Sequence, residues 1–161
     1  MNSKGQFFSY DAIIAGAIFL LAIALILSYW NGVQPNQETD LSRETLRLSE
    51  TLLTAGFPPD WEKNGNPKSI GLAEKQNSRV LSPEKLAEFR RMSESGYEEV
   101  KPILLTGNEY WIEISGENLD CGGPCSFGKK PPENAERSSA TRLVVLNGKP
   151  ARLTVNLWKI K

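Results

Sequence analysis

Residues 4–30 read KGQFFSYDAIIAGAIFLLAIALILSYW, an apolar run that dominates the first part of a 161-residue chain. The nineteen residues from Ala12 to Trp30 carry no charge. A helix of that length spans roughly 28 Å, close to the roughly 30 Å hydrocarbon core of a bilayer. Tyr29 and Trp30 end the run, where amphipathic aromatic rings favour the membrane interface. The stretch therefore predicts a membrane-spanning helix.

Two other interpretations of the run are weaker. A chain of this size is too small to surround such a helix on all sides in a soluble core. A cleaved secretory signal usually has an apolar part of only about 7–15 residues. The NGVQPNQETD that follows Trp30 also offers no Ala-x-Ala-like cleavage site. We therefore expect a retained, single-pass anchor.

The flanking charges predict its orientation. Lys4 and the amino terminus flank one end, whereas the other flank has no charge before Glu38. The positive-inside tendency then places the amino terminus in the cytoplasm and residues 31–161 outside the cell membrane.

Composition argues against several function classes. Nineteen Lys and Arg balance nineteen Asp and Glu, so net charge gives no reason to expect nucleic-acid binding. The absence of histidine removes the commonest general base and metal ligand. No phosphate-binding glycine loop, H-E-x-x-H or G-x-S-x-G motif occurs. We expect no enzyme activity, no catalytic residues, no metal and no cofactor.

The start of the chain resembles a known signal. Lys4-Gly5-Gln6, followed by Ser9, Asp11 and a long apolar helix, resembles the class III signal peptide of archaeal type IV pilin-like proteins. The resemblance implies that a prepilin peptidase cuts between Gly5 and Gln6, removing a five-residue leader (1–5) and giving Gln6 a free amine. Relative to that cut, the serine and the acid each come one residue later than in the family pattern, and the acid is Asp rather than Glu.

The resemblance also implies an assembly role for Asp11, and two interpretations of this residue stay open. In a bundle of helices, its carboxylate pairs with the amine of a neighbouring subunit, which offsets part of its desolvation and fixes the axial register. Alternatively, it is an ordinary acid favoured by the helix dipole and wetted by lipid headgroups. Small residues such as Ala15 and Gly16 let neighbouring helices approach closely. The implied partners are membrane lipid, like pilin subunits, a prepilin peptidase and an assembly platform.

The helix is predicted to continue beyond the membrane. We assign residues 6–34 to the transmembrane and assembly helix and residues 35–56 to an outer extension. Gly32 and Pro35 predict a kink between them, and Asp40 is expected to cap the extension. Helical spacing gives the extension an apolar face. This face consists of Leu41, Thr45, Leu48 and Leu52, with Leu46 and Leu53 beside it.

The head, residues 57–161, is predicted to combine helices with an antiparallel sheet. Ser82 and Pro83 mark a helix start, and Gly96-Tyr97 its end. Asn147-Gly148 predicts a type I′ hairpin turn. The predicted strands are 69–73, 110–114, 139–146 and 151–160. The fold class is therefore α+β: a long N-terminal transmembrane helix followed by a small head whose three or four antiparallel strands pack on the outer helix, as in pilins.

The two cysteines lie in a long loop. Cys121 and Cys125 flank Gly-Gly-Pro, and an exported loop favours a disulfide between them. Free thiols and a redox or metal role remain alternatives. The surrounding segment, residues 116–137, is rich in glycine, proline and charge. It is the first candidate for contact with another molecule.

These features predict a type IV pilin-like structural subunit that assembles through its N-terminal helix into a surface filament or complex. The alternative is an uncleaved, signal-anchored extracytoplasmic binding protein that forms no filament. A membrane-tethered enzyme is the third possibility, supported only by the long loop.

Overall fold

The computed structural model describes residues 4–32, 37–76 and 78–159, with only the backbone described at 4–9, 30–32 and 37–39. The described helices are α1 (Lys4–Gly32), α2 (Gln37–Leu52), α3 (Trp61–Asn64), α4 (Pro83–Ser95) and α5 (Tyr97–Ile103). The described strands are β1 (Val80–Leu81), β2 (Glu109–Ser115), β3 (Ser126–Gly128), β4 (Glu136–Leu146) and β5 (Lys149–Lys159). The chain divides into two compact units, residues 1–36 and 37–161.

The long apolar helix predicted at the start of the chain is confirmed. Within α1, the 20 residues Tyr10–Tyr29 have a mean hydropathy of 2.6, and all of their side chains are exposed. A helix of this length and composition is sufficient to cross a membrane. The predicted kink at Pro35 and the first three residues of the predicted leader lie outside the described residues.

Helix α2 is amphipathic, as its leucine spacing predicts. Leu41, Leu48 and Leu52 are buried against the sheet, each contributing roughly 1.5–3 kcal/mol by leaving water. Leu46 lies outside this face and is 47% exposed. The prediction that Asp40 caps the helix is wrong, because α2 begins at Gln37 and places Asp40 inside its first turn. An acid there still complements the positive end of the helix dipole.

The sheet has five strands in the order β1-β4-β5-β2-β3. The three strands predicted near the end of the chain are confirmed as β2, β4 and β5, which pair antiparallel. The sheet is mixed as a whole, because the additional strand β1 runs parallel to β4. Two residues, Val80 and Leu81, make up β1, so it is too short to leave a periodic signal in the sequence.

The hairpin between β4 and β5 closes as the sequence predicts. Asn147 and Gly148 both have positive φ, 52° and 74°, which a type I′ turn requires. The alternation along β5 is confirmed as well, since Leu153, Val155 and Leu157 are buried completely. Helix α2 packs over this buried face of β4 and β5.

Residues 69–73 do not form the predicted strand. The segment is extended, but it makes only two isolated bridges, Phe57 to Ser69 and Ala73 to Leu81. Its backbone bonds are directed to the end of α2 and the turn beyond, with the Leu72 amide donating to the Leu52 carbonyl at 2.8 Å. Because these hydrogen bonds satisfy its buried backbone groups, the segment can remain extended without pairing along a strand.

Lys85 holds the same region together from α4. This side chain is 3% exposed, and its Nζ donates to the carbonyl oxygens of Ala55 at 2.7 Å and Ala73 at 3.0 Å. Burial lowers the pKa of Lys85, an effect opposed by the charges of Glu62 and Asp60. The predicted start of α4 is confirmed, because the Ser82 hydroxyl accepts from the Lys85 amide at 3.3 Å.

Residues 54–56 and the segment 69–73 approach closely at Gly71, and this contact gives the first prediction. A Cβ at Gly71 would meet the Gly56 amide nitrogen and the Thr54 carbonyl, both of which are backbone and cannot rotate away. We expect Gly71→Ala to lower the free energy of unfolding by about 3 kcal/mol or more, measured by denaturant titration of the full chain in detergent micelles.

Gly107→Ala is the matched control. A Cβ at this exposed glycine meets nothing within 4 Å, so the change should stay within about 0.5 kcal/mol. Equal stability of the two variants would contradict the close approach at Gly71.

Candidate functional site

The residues expected to mediate assembly lie exposed along α1. Asp11 and Ala15 are four residues apart, and Ala22 and Tyr29 follow at steps of seven, so these four share one side of the helix. Gly16 lies next to that side, about 100° round from Ala15, and a Cβ at Gly16 would meet nothing within 4 Å. One stripe of an otherwise apolar helix therefore combines a carboxylate with small residues.

Asp11 lies at the edge of the apolar span. It is the second residue of the stretch Tyr10–Tyr29. A charge there costs less than the roughly 2.5–3.5 kcal/mol that it costs at the centre of a spanning helix. The expected cleavage bond between Gly5 and Gln6 lies in the first turns of α1, among the residues whose side chains are not described.

The segment 116–137 is not the single long loop that its composition predicts. Strand β3 lies in its middle and pairs with β2, and β4 already begins at Glu136. Cys121 and Cys125 form the expected disulfide, with Cα atoms 5.6 Å apart. The residues 121–125 that this bond encloses are called the disulfide loop below.

Arg90 on α4 fixes the disulfide loop to the head. Its Nη2 donates to the carbonyl oxygens of Cys121 at 2.7 Å and Pro124 at 3.0 Å, and its Nη1 donates to that of Gly122 at 3.0 Å. The guanidinium also lies 5.7 Å from the centre of the Phe127 ring. Three carbonyls that converge on one cation explain why this glycine-rich turn keeps a defined position.

Sequence reasoning missed Arg90, because its partners lie more than 30 residues further along the chain. Local patterns carry no signal for such a contact. The spacing of α4 places Arg90 beside the buried Phe89, and this is the only hint that it borders the core.

An ion-pair cluster surrounds Tyr97. Lys101 bridges Glu109 at 2.8 Å and Glu98 at 3.3 Å, and Lys129 bridges the same two carboxylates at 3.4 Å and 3.1 Å. The Nζ of Lys129 lies 4.2 Å from the centre of the Tyr97 ring. These contacts join α5 to the start of β2 and to the residue after β3.

The pKa shifts in the cluster indicate a structural role. Hydrogen bonds from Lys129 and Lys101 hold the pKa of Glu98 below its usual value. Burial acts to raise the pKa of Glu109, but the hydrogen bond from Lys101 and the charges of Lys101 and Lys129 outweigh it and lower that pKa. Burial raises the pKa of the Tyr97 hydroxyl. These directions move all three groups away from neutral pH, so the cluster is not tuned for proton transfer.

A groove of about 280 Å³ lies between α4 and β3, beside this cluster. Its lining includes Arg90, Ser93, Tyr97, Phe127 and Lys129. The lining also includes the carboxylate of Glu94 and the hydroxyl of Ser126. Charged and polar groups therefore outnumber the two aromatic rings, which suits a small polar ligand better than an apolar one. Among the described residues, no group of three or more Cys, Asp or Glu side chains is placed to hold a metal ion.

No protein-family model, curated protein or solved structure matches this chain. The class that the structure defines is an α+β protein with an N-terminal apolar helix of membrane-spanning length and a head built on a mixed sheet.

The arrangement around Arg90 gives the second prediction. We expect Arg90→Met to remove the three hydrogen bonds that the guanidinium donates to carbonyl oxygens of the disulfide loop. Hydrogen bonds to a charged group contribute about 1.5–3 kcal/mol, so their loss should let the loop open more often. The Gly122 amide, which donates to Asp120 Oδ1 at 2.8 Å, should then exchange its hydrogen about tenfold faster or more. Hydrogen exchange read by mass spectrometry measures this directly.

Arg91→Met is the matched control on the same helix. The Arg91 side chain is 64% exposed and pairs only with Glu88 among the described residues. Its loss should leave exchange in the disulfide loop unchanged. The same exchange rates in both variants would show that Arg90 does not hold the loop.

Proposed function

We propose that this chain is a type IV pilin-like structural subunit. In this proposal α1 anchors it in the cell membrane with its amino terminus in the cytoplasm and its head outside. It assembles with like subunits through α1 into a surface filament or membrane complex. The observation that carries the proposal is a helix of membrane-spanning length that follows a class III-like leader and has Asp11 near its N-terminal end.

Assembly would follow from the surface of α1. Lipid tails are as apolar as leucine, so helices in a membrane associate through close packing and polar contacts rather than through hydrophobicity. Ala15 and Gly16 allow close packing at the N-terminal half of the span. Cleavage before Gln6 would supply a free amine, and pairing with Asp11 of a neighbour would offset part of the desolvation of both charges.

The head is suited to the outer surface of a cell. Residues 37–161 are a compact unit with a hydrophobic core of their own. The disulfide between Cys121 and Cys125 fits an oxidising compartment. A compact head with its own core agrees with the role of a subunit exposed at the cell surface.

One observation favours a second candidate, an uncleaved anchored protein that binds a ligand. Ser9 and Asp11 each lie one residue beyond their places in the family pattern. The groove between α4 and β3 would then be the binding site.

Amino-terminal sequencing of the membrane-extracted protein, expressed with a prepilin peptidase, separates the two candidates. The pilin-like proposal predicts a chain that begins at Gln6. Gly5→Leu should leave Met1 in place, because the peptidase cuts after a glycine, whereas Gly16→Ala should be processed normally. A wild-type chain that keeps Met1 would favour the plain anchor and overturn the pilin-like proposal.

Asp11 tests the assembly step separately. Asp11→Ala should be processed at the same bond but should form at least tenfold fewer cross-linked oligomers in the membrane, and Asp11→Glu should restore them. Unchanged oligomers in Asp11→Ala would assign Asp11 to an ordinary helix-end role.

A further inference from the structure

Strand β4 has a long open edge. It pairs with β5 along its whole length, Glu136 to Leu146. On its other side β1 pairs only with Val145 and Leu146. Among the residues that the structure describes, no strand covers β4 from residue 136 to residue 144.

The hairpin geometry identifies which backbone groups this edge presents. In a two-residue hairpin the pair next to the turn, here Leu146 and Lys149, is hydrogen-bonded, and bonded pairs recur at every second residue. Even-numbered residues of β4 therefore bond to β5, and odd-numbered residues face the other way. The odd-numbered Val145 fits this alternation, because its amide donates away from β5 to the Arg79 carbonyl at 2.8 Å.

Four odd-numbered residues therefore direct their backbone groups toward the open edge: Arg137, Ser139, Thr141 and Leu143. Each presents one N–H and one C=O outward, eight groups in all. None of them has a backbone partner on that side within the described part of the chain. All four side chains are exposed. Water satisfies these groups in an isolated copy, and a second strand would satisfy them equally well.

The edge also lacks most of the features that usually block strand pairing. Native edges are protected by proline, by bulges, by short length or by charges. Here the pairing with β5 is unbroken over eleven residue pairs. The centre of the open edge, residues 138–141, reads Ser-Ser-Ala-Thr and contains only small side chains. Its charges, Glu136, Arg137 and Arg142, lie on either side of this centre.

We propose that this edge pairs with the same edge of a second copy of the chain, β4 antiparallel to β4, about a two-fold axis at Ala140. In this register Arg137 lies opposite Leu143 of the other copy, and Ser139 lies opposite Thr141. In each of these pairs both residues direct their N–H and C=O groups toward the other copy. The eight outward groups of each copy are all used, giving eight hydrogen bonds between the copies. A shift by two residues would leave one residue of each edge unpaired.

The side chains are complementary in the same register. On the outer face, the hydroxyls of Ser139 and Thr141 lie opposite each other. On the inner face, Ala140 meets its own copy, and Ser138 lies opposite Arg142. Within each copy Glu136 pairs with Lys159 at 3.5 Å, and Arg142 pairs with Glu50 of α2 at 3.6 Å. In this register Glu136 is also the diagonal neighbour of Arg142 in the other copy, so opposite charges approach and no like charges face each other. A two-fold contact of this kind is self-complementary, as closed dimers require.

This contact goes beyond helix-mediated assembly and does not depend on it. It is a contact between heads, and it holds whether the chain begins at Met1 or Gln6. Anchoring both copies in one membrane raises their effective concentration, which favours a contact too weak to form in dilute solution.

Site-directed cysteines test the register in the full chain. Two differently tagged variants, Ser139→Cys and Thr141→Cys, are reconstituted together in phosphatidylcholine vesicles and oxidised mildly. Directly opposed residues of a bonded pair have Cα atoms about 5.5 Å apart, within the range for a disulfide. The native cysteines are already joined to each other. We expect the mixed 139–141 dimer to form at least tenfold faster than either like-with-like dimer.

Two further variants complete the design. Thr154→Cys, on β5 and away from the open edge, serves as the control for random collision and should cross-link no faster than the like-with-like pairs. Leu143→Pro removes an outward N–H that β5 does not use, so the head should keep its far-ultraviolet circular dichroism. Introduced into both cysteine variants, it should slow the mixed dimer at least tenfold, whereas Leu143→Val should not.

The outcomes separate this proposal from the one based on α1. Equal cross-linking of all pairs, or a mixed dimer unaffected by Leu143→Pro, would overturn edge pairing even if the leader is processed. Cross-linking of the edge to a different protein in cell membranes, with none between purified copies, would also overturn it. A chain that keeps Met1 but forms the mixed dimer would overturn processing and leave edge pairing supported.

Discussion

The exposed apolar surface of α1 is the constraint on which the rest of the protein depends. From Tyr10 to Tyr29 every side chain is exposed, and apart from Asp11 near one end the helix is predominantly apolar on all sides. Burying one large aliphatic side chain contributes roughly 1.5–3 kcal/mol, so a run of this length is strongly driven out of water. Only lipid or other such helices offer enough apolar surface to receive it. Anchoring and assembly are two ways of meeting the same requirement.

The head meets its own requirements differently. Helix α2 buries one leucine face against β4 and β5 and leaves Leu46, Arg43 and Arg47 exposed. Segments without regular structure are held by polar contacts to backbone, from Lys85 at one side of α4 and from Arg90 at the other. Residues 136–144 of β4 have no strand beside them in the described part of the chain, so their outward backbone groups depend on water or on a second strand.

Sequence patterns predicted the elements whose signals are local. The period of α2, the Ser82-Pro83 helix start and the Asn147-Gly148 turn each follow from neighbouring residues. Strands β1 and β3 were missed because two or three residues leave no period. Residues 69–73 were misassigned, because their hydrophobicity reflects burial against the end of α2 rather than membership of a ladder. Arg90 and the open β4 edge depend on contacts and strand order that only the folded chain defines.

The central claim is that α1 belongs in a membrane, and vesicle flotation tests it most directly. The full chain, freed of detergent in the presence of phosphatidylcholine vesicles, is centrifuged through a density gradient after washes with high salt and alkaline carbonate. If α1 is embedded in the bilayer, the protein floats with the vesicles through both washes, because apolar burial responds to neither ionic screening nor charge. A chain that stays at the bottom of the gradient as a soluble monomer would contradict it.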